Sequence, residues 1–208
     1  MIKIKYELIR SDRKTLCISI RDNKVIVRAP LRMSITKIED FVRQKSEWIV
    51  KQLSKVDDYK QLSTNKYILV KGEMVPLIVG DKNKITKNGV YVKTFSQIPN
   101  LYIDTFGDEF LKLFKEISKS SGLKASSVRF KAYKARWGCC DAKKAIIFNY
   151  KLLMLPTDLW RCIIVHELCH TVFMDHSKNF HALAKTVMPS YAVAHKKLKN
   201  YSAVTRLY

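Results

Sequence analysis

Residues 160–176 read Trp-Arg-Cys-Ile-Ile-Val-His-Glu-Leu-Cys-His-Thr-Val-Phe-Met-Asp-His, and this stretch decides the architecture of the second half of the chain. Between Arg161 and Asp175, the only residue with a formal charge at neutral pH is Glu167. A helix that is apolar on every side is buried in its protein. We therefore predict a buried helix from Thr157 to Met174 that carries histidines and a carboxylate into the interior.

Buried imidazole and carboxylate groups cost several kcal/mol unless they have partners, and this helix supplies none of its own. His166 and His170 are four residues apart, so their side chains lie on one helix face and can ligate the same metal ion. In the HExxH pattern of zinc hydrolases, the glutamate between them is the general base for a metal-activated water. The pattern predicts a metal centre with Glu167 as its base.

A catalytic zinc site takes three protein ligands and keeps a fourth position open. No glutamate follows Glu167 in the sequence. The downstream side chains that can ligate a metal are Asp175, His176, His181 and His195. His176 lies ten residues after His166, which is the offset of the third histidine in the HExxHxxGxxH pattern. We favour His176 as the third ligand and keep His181 as the second candidate.

The beginning of the chain is rich in β-forming residues. Between residues 3 and 28, apolar and charged residues alternate, which predicts an antiparallel ribbon that turns at Asp22-Asn23 and ends at Pro30. Apolar residues then recur at helical spacing from an N-cap at Ser34 to Val56. We expect this helix to cover the ribbon.

The rest of the chain alternates between strands and helices. The predicted strands are Tyr67–Val70, Val75–Val79, Val90–Val92, Val128–Lys131 and Ala145–Phe148. Asn88-Gly89 predicts a hairpin turn, and a helix is expected from Asp108 to Ser121, closed by Gly122. We predict an irregular stretch over Arg136–Cys140 and, after the long buried helix, shorter helices broken at Pro189. We therefore predict two regions, a β-rich N-terminal region over residues 1–105 and a catalytic domain over residues 106–208, with a soft boundary between them.

The composition is basic, with 39 Lys and Arg against 18 Asp and Glu and a formal net charge of +21. Nucleic acid or another polyanion is therefore a candidate partner. Lysine outnumbers arginine by 29 to 10, however, and lysine suits a solvated surface better than bidentate phosphate recognition. We place nucleic-acid binding behind catalysis.

The sequence also bears on location. No apolar stretch approaches the ~18 residues that span a bilayer, and Met1–Glu7 carries charges where a signal peptide is apolar. The five cysteines are odd in number and lack the spacing of a disulfide framework. We expect a cytoplasmic protein without a membrane segment, in which Cys162 and Cys169 are buried thiols on one helix face and Cys139-Cys140 belongs to a packed loop.

Four segments carry a resemblance to a known family. They are Arg136-Trp137-Gly138-x-Cys140, Asn149, His166-Glu-Leu-Cys-His170 and Asp175-His176-Ser177-x-x-Phe180. Together these segments resemble the YgjP-like metallopeptidase family, which is related to the SprT-like and WLM zincins. The Arg28-Ala-Pro30 end of the ribbon and the helix containing Trp48 are similar as well, so the resemblance covers nearly the whole chain.

The resemblance implies an α+β protein whose second half is a zincin-like catalytic domain with one metal ion per chain, for which we predict Zn²⁺ and keep another divalent metal as the alternative. The implied metal ligands are His166, His170 and His176, with Glu167 as general base. Four further residues are either part of the substrate cleft or structural: Arg136, Trp137, Asn149 and His181.

The leading prediction is a zinc metallopeptidase that acts on a peptide or protein substrate. A metal centre in a basic cleft can also attack a phosphoester, so a metal-dependent phosphohydrolase acting on nucleotides or nucleic acid is the first alternative. The second alternative is a nucleic-acid-binding module with a structural metal. Glu167 argues against that module, because a structural site needs no base.

Overall fold

The computed structural model describes residues 4–21, 24–53 and 64–207, and within them it contains six helices and three small sheets. The predicted mixture of helices and strands is therefore confirmed. The chain divides into two compact units, Met1–Gln61 and Leu62–Tyr208. The soft boundary predicted near residue 105 does not coincide with this division.

The first unit contains a three-stranded sheet made of β1 (Glu7–Ser11), β2 (Cys17–Arg21) and β3 (Lys24–Pro30), in the order β1-β3-β2. β2 and β3 are antiparallel, as predicted, but β1 pairs with β3 in parallel. The predicted antiparallel ribbon is thus wrong for its first strand, because β3 occupies the centre of the sheet and separates β1 from β2. The predicted turn at Asp22-Asn23 lies outside the described residues.

Two helices of the first unit follow the sheet. α1 (Ile35–Gln44) begins after Ser34, whose hydroxyl accepts a hydrogen bond from the backbone N–H of Lys37, as an N-cap does. A turn at Lys45 ends α1, and α2 covers the described residues 46–53, so the predicted single helix is two. The predicted end at Val56 lies outside the described residues. The shared core confirms that the helices cover the sheet and comprises Val25, Val27, Ala29, Ile38, Val42 and Ile49.

The second unit begins with a four-stranded sheet in the order β4-β5-β7-β6. Its strands are β4 (Tyr67–Val70), β5 (Glu73–Val79), β6 (Lys84–Thr86) and β7 (Gly89–Val92). Three of these strands were predicted, whereas β6 was not, because three residues are too few to show an alternating pattern. β6 and β7 are antiparallel with Thr86 opposite Gly89, so the predicted hairpin is present. Its two turn residues are Lys87 and Asn88, one position earlier than the predicted Asn88-Gly89, because Gly89 already pairs as the first residue of β7.

A long helix, α3 (Ile98–Ser121), crosses the second unit. It ends at Gly122, whose φ of +72° is the left-handed C-cap conformation that glycine adopts at low cost. The predicted end is therefore correct, but the helix begins ten residues before the predicted Asp108. Phe110 of α3 packs edge-on against Trp160 and Phe148, with ring centroids 5.9 and 4.9 Å apart. These aromatic contacts hold the buried helix in place.

A second sheet of this unit lies beside the buried helix. It contains β8 (Ser127–Lys131), β9 (Gly138–Cys140) and β10 (Ala145–Asn149) in the order β8-β10-β9, with β9 antiparallel to β10. The prediction of an irregular stretch over Arg136–Cys140 is wrong for its last three residues. They form an edge strand because they pair with residues 146–148, and this pairing is invisible in a three-residue segment.

The buried helix is α4 (Thr157–Cys169), which ends five residues before the predicted Met174. Beyond α4 the chain changes direction through turns. In one of them, the N–H of Phe173 donates a hydrogen bond to the carbonyl oxygen of Cys169. α5 (Lys178–Val187) and α6 (Tyr191–Leu198) follow and are separated near Pro189, as predicted. Cys162 and Cys169 are fully buried, as predicted. Among the described residues, no helix has the length and apolar character needed to cross a membrane.

Candidate metal centre

Three histidines from residues 166–176 converge at the C-terminal end of α4. Nε2 of His166 lies 3.2 Å from Nε2 of His170 and 3.2 Å from Nε2 of His176. One nitrogen from each of the three rings lies within 4.8 Å of the other two, so the group can hold a metal ion. The structure therefore brings together the three histidines that the sequence analysis selected.

These separations match those of metal ligands. Two nitrogens that each lie about 2.0–2.1 Å from a tetrahedral zinc ion are about 3.3 Å apart. A hydrogen bond between the rings fits less well, because Nδ1 of His170 lies 2.9 Å from the carbonyl oxygen of Phe173 and must donate to it. In the neutral ring, Nε2 of His170 then carries a lone pair that faces His166. A cation between the rings satisfies that lone pair.

The helix end explains how His176 reaches the cluster. α4 stops at Cys169, and the chain turns through residues 170–177 before the hydroxyl of Ser177 accepts a hydrogen bond from the N–H of Phe180 and starts α5. His176 lies on this connection and is exposed, whereas His166 is more deeply buried. The other predicted candidate, His181, lies on the exposed side of α5 and does not belong to the cluster.

The ring of Phe180 packs against all three histidines of the cluster. Its side chain is fully buried, and its ring centroid lies 5.1, 4.7 and 5.0 Å from the centroids of His166, His170 and His176. A single apolar ring thus contacts all three imidazoles and excludes water from one side of them. The sequence analysis assigned Phe180 no role, since its only signal was its place in the family pattern.

Burial keeps the central imidazole neutral. It lowers the pKa of His166 to about 3, and the neighbouring histidines lower that pKa further. Burial also lowers the pKa of His170 below its ordinary value. Neutral imidazole is the form that ligates metals, so protonation does not compete with metal binding at these two rings near neutral pH.

Glu167 is buried against β9. Its side chain is 4% exposed, and its Oε2 atom is buried without a hydrogen-bond partner among the described residues. Burial raises the pKa of Glu167 to about 8, while the charge of Arg136 lowers it. A Cβ atom on Gly138 would lie 2.7 Å from Oε1 of Glu167, so only glycine lets the carboxylate rest on the strand backbone. A metal held by the three imidazoles, with a water bound to it, would supply the partner that Oε2 lacks among the described residues.

The family comparison agrees with this geometry. A family model described as YgjP-like, metallopeptidase domain, matches residues 14–201. The chain belongs to the YgjP-like metallopeptidase family. No curated protein and no solved structure matches the chain. Membership of this family supports a metal-dependent peptidase, and the three clustered histidines are the residues of this family member that can bind the metal.

Asn149 is a structural residue of this domain. It is fully buried, and its Nδ2 atom donates hydrogen bonds to the carbonyl oxygens of Tyr133 and Arg136 at 3.0 and 2.9 Å. Its backbone N–H also donates to the carbonyl oxygen of Trp137 at 2.7 Å. Asn149 therefore holds the segment that leads into β9, and it supports Arg136 and Trp137 rather than lining the cleft.

Two cavities adjoin the metal centre. The larger one, about 270 Å³, is lined by the three histidines together with Glu167, Met174, Arg136 and residues 138–140. The smaller one, about 160 Å³, lies between α4, α6 and the segment before β9. Arg136, Gly138, His166 and Glu167 line both cavities. The two cavities thus meet at the general-base candidate.

Two residues of α6 make contacts with the cluster that the sequence analysis did not predict. The hydroxyl of Tyr191 lies 2.7 Å from Nδ1 of His166, and the ring of His195 stacks on the ring of His166 with a centroid distance of 5.8 Å and an interplanar angle of 4°. The sequence analysis named His195 only among the side chains that can ligate a metal, and it does not belong to the cluster of three. Neither residue has a motif spacing to His166, because the packing of α6 on α4 brings them together.

Proposed function

We propose that the protein is a zinc metallopeptidase with a zincin-like catalytic domain built on the HExxH helix. In this proposal, His166, His170 and His176 hold one zinc ion, and Glu167 is the general base. The observation that carries the proposal is the placement of an unpartnered carboxylate oxygen beside three converging imidazole nitrogens. This combination provides both a ligand set and a base, and a structural metal site has no use for the base.

Zinc, when bound, supplies Lewis acidity that makes a water more acidic and polarises the scissile carbonyl. The residues of the chain supply the rest. Oε2 of Glu167 accepts a proton from the attacking water and returns it to the departing amine nitrogen. Gly138 leaves room for that carboxylate, and Phe180 excludes water from the far side of the ligands. These contacts hold the reacting groups in a defined geometry, which lowers the cost of reaching the transition state.

β9 supports a peptide as substrate. It is the edge strand of its sheet, with β10 as its only strand partner among the described residues. It also lies directly against Glu167 through Gly138. An extended peptide that adds to the free edge of a strand gains main-chain hydrogen bonds, whatever its side chains. A peptide bound along β9 passes over the metal centre.

The two alternatives from the sequence analysis rest on the net charge. Among the described residues that line the two cavities, Arg136 is the only lysine or arginine. A site for nucleotides or nucleic acid needs several cations to neutralise phosphates. We therefore favour the peptidase over a phosphohydrolase and over a nucleic-acid-binding module.

The five free thiols support a reducing compartment such as the cytoplasm.

The experiment that tests the proposal combines metal analysis with a peptide screen. We expect about one zinc per chain in protein purified without added metal, loss of that zinc in His170→Ala, and cleavage of peptides by the wild type. Glu167→Gln is the matched control, because it keeps the ligands and removes the base. Zinc without cleavage in any peptide, or equal cleavage by Glu167→Gln, contradicts the proposal. Phosphate release from nucleotides would favour the first alternative.

A further inference from the structure

The smaller cavity beside Glu167 has the features of a subsite for one substrate group. Its walls include the buried side chains of Cys162, Ile163 and Leu198, which are apolar, together with Trp137. Its volume of about 160 Å³ is below the roughly 300–1,000 Å³ of pockets for drug-sized ligands. A single side chain or chain terminus therefore fits it better than a nucleotide does.

Arg136 supplies the charge at this cavity. No acidic side chain lies within ion-pair distance of its guanidinium in the described part of the chain. The contact made by the guanidinium is with the face of Tyr133, where its central carbon lies 5.6 Å from the ring centroid. Arg136 and Glu167 line the same cavity, so the cation lies beside the general-base candidate. An arginine that lines a cavity and has no acidic side chain at ion-pair distance can accept an anion from a ligand.

The backbone of this arginine is held in advance of binding. The amide of buried Asn149 binds the carbonyl oxygen of Arg136, and the N–H of Asn149 binds the carbonyl oxygen of Trp137. Both neighbouring residues of the cavity wall are thus attached to β10. A site that is ordered before binding loses less entropy when the ligand binds.

We propose that this cavity is a subsite for a substrate carboxylate, bound by Arg136 next to the scissile bond. The inference rests on the proposed peptidase function and names the class of substrate. A carboxylate matches the planar guanidinium in a two-pronged hydrogen-bonded pair. A doubly charged phosphate fits less well, because Arg136 is the only lysine or arginine among the described residues that line this cavity. The carboxylate belongs either to an Asp or Glu side chain or to the free C-terminus of the substrate.

Matched peptides test the subsite and distinguish the two sources. One set is amidated at the C-terminus and carries Glu, Gln, Ala or Lys at each position that flanks the cleaved bond. The other set has neutral side chains and either a free or an amidated C-terminus. We expect kcat/KM for the carboxylate peptide to exceed that of its amide counterpart about tenfold or more in one of the sets. The set that shows the difference identifies the source of the carboxylate.

Variants assign the effect to Arg136. Arg136→Ala should abolish the preference, and Arg136→Lys should retain part of it, since the charge remains but the fork is lost. Arg161→Ala is the matched control, because it removes an exposed arginine of α4 that lines neither cavity. Zinc content and circular dichroism show whether each variant keeps its fold. An unchanged preference in folded Arg136→Ala overturns the proposal, as does equal cleavage of carboxylate and amide peptides by the wild type.

A binding measurement separates this inference from the proposed function. Zinc-loaded Glu167→Gln is titrated calorimetrically with the same peptides, so that no turnover is required. We expect Glu167→Gln to bind the carboxylate peptide more tightly than its amide counterpart. This difference in affinity should be lost in the double variant that also carries Arg136→Ala. If the wild type cleaves no peptide but this difference in affinity is observed, the peptidase proposal fails and the subsite stands. Equal affinities for carboxylate and amide peptides overturn the subsite.

Discussion

The phenol hydroxyl of Tyr191 lies 2.7 Å from Nδ1 of His166, on the side of the ring opposite the nitrogen that faces His170 and His176. Its hydrogen bond orients the imidazole and, when Nδ1 carries the proton, leaves Nε2 free for the metal. Burial and nearby acidic groups raise the pKa of Tyr191, so the phenol keeps its proton. Tyr191 is therefore a positioning residue for the proposed ligand His166.

The first prediction follows from this contact. Tyr191→Phe should weaken zinc binding about 10–100-fold, because outer hydrogen bonds to ligands typically contribute that much affinity. Competition with a chromophoric chelator measures the change without any substrate. Tyr91→Phe on β7 is the matched control and should bind zinc like the wild type. Equal zinc affinity in Tyr191→Phe and the wild type would show that the hydroxyl does not position His166.

The second prediction concerns the close approach of β9 to the general-base candidate. Gly138→Ala places a Cβ atom 2.7 Å from Oε1 of Glu167, so the carboxylate must move. A displacement of about 1 Å costs roughly 10²-fold in rate, and we expect kcat/KM for peptide cleavage to fall by that amount with zinc content unchanged. Gly80→Ala is the control, since its new Cβ meets nothing within 4 Å. Full activity in Gly138→Ala would mean that the position of Glu167 is not critical.

The third prediction concerns the ring beneath the imidazoles. Phe180→Ala removes a fully buried side chain, which should lower the free energy of unfolding by about 3–5 kcal/mol. Urea denaturation of the zinc-loaded protein measures the loss. Phe180→Leu keeps most of the volume and should lose less stability, while still changing the packing of His170. A loss below about 1 kcal/mol in Phe180→Ala would argue that this ring is not part of a tightly packed core.

The fourth prediction is a pH dependence of stability that arises from a buried thiol. Burial, with a smaller contribution from Asp158, raises the pKa of Cys162 from 9.0 to about 12. Above pH 9 the unfolded chain loses the thiol proton while the folded chain retains it, so this contribution to stability is full below pH 9 and is lost as pH rises toward 12. From pH 8 to pH 10, the free energy of unfolding should fall by about 1 kcal/mol from this group.

Cys162→Ala isolates the effect from the titration of other groups. Its free energy of unfolding should fall less steeply with pH than that of the wild type, although the variant is less stable at every pH because it loses buried atoms. Urea denaturation at pH 8, 9 and 10 compares the slopes. Parallel slopes for the two proteins would show that the Cys162 thiol has the same pKa in the folded and unfolded states.

Local patterns were sufficient for many elements. The N-cap at Ser34 and the C-cap at Gly122 are chemical signals that lie within a few residues of the structure they specify. Asn88-Gly89 indicated the β6–β7 hairpin in the same way, although the turn itself lies one residue earlier. α3 begins ten residues before the predicted Asp108, and Gly107, a weak helix former, directly precedes that predicted start. Helix and strand types were therefore predictable, while several boundaries were not.

The amino-acid order alone specified the core of the candidate site. HExxH placed two imidazoles and a carboxylate at the end of one apolar helix, and the offset of ten residues selected His176 over His181, because helical geometry and a single turn govern distances that short. The parallel pairing of β1 with β3 and the edge strand β9 required the folded chain, as did the contacts of Tyr191 and His195 with His166. Each of these contacts joins segments that are not neighbours in the sequence. It therefore depends on how strands pair and helices pack, and the spacing of residues along the chain does not specify that.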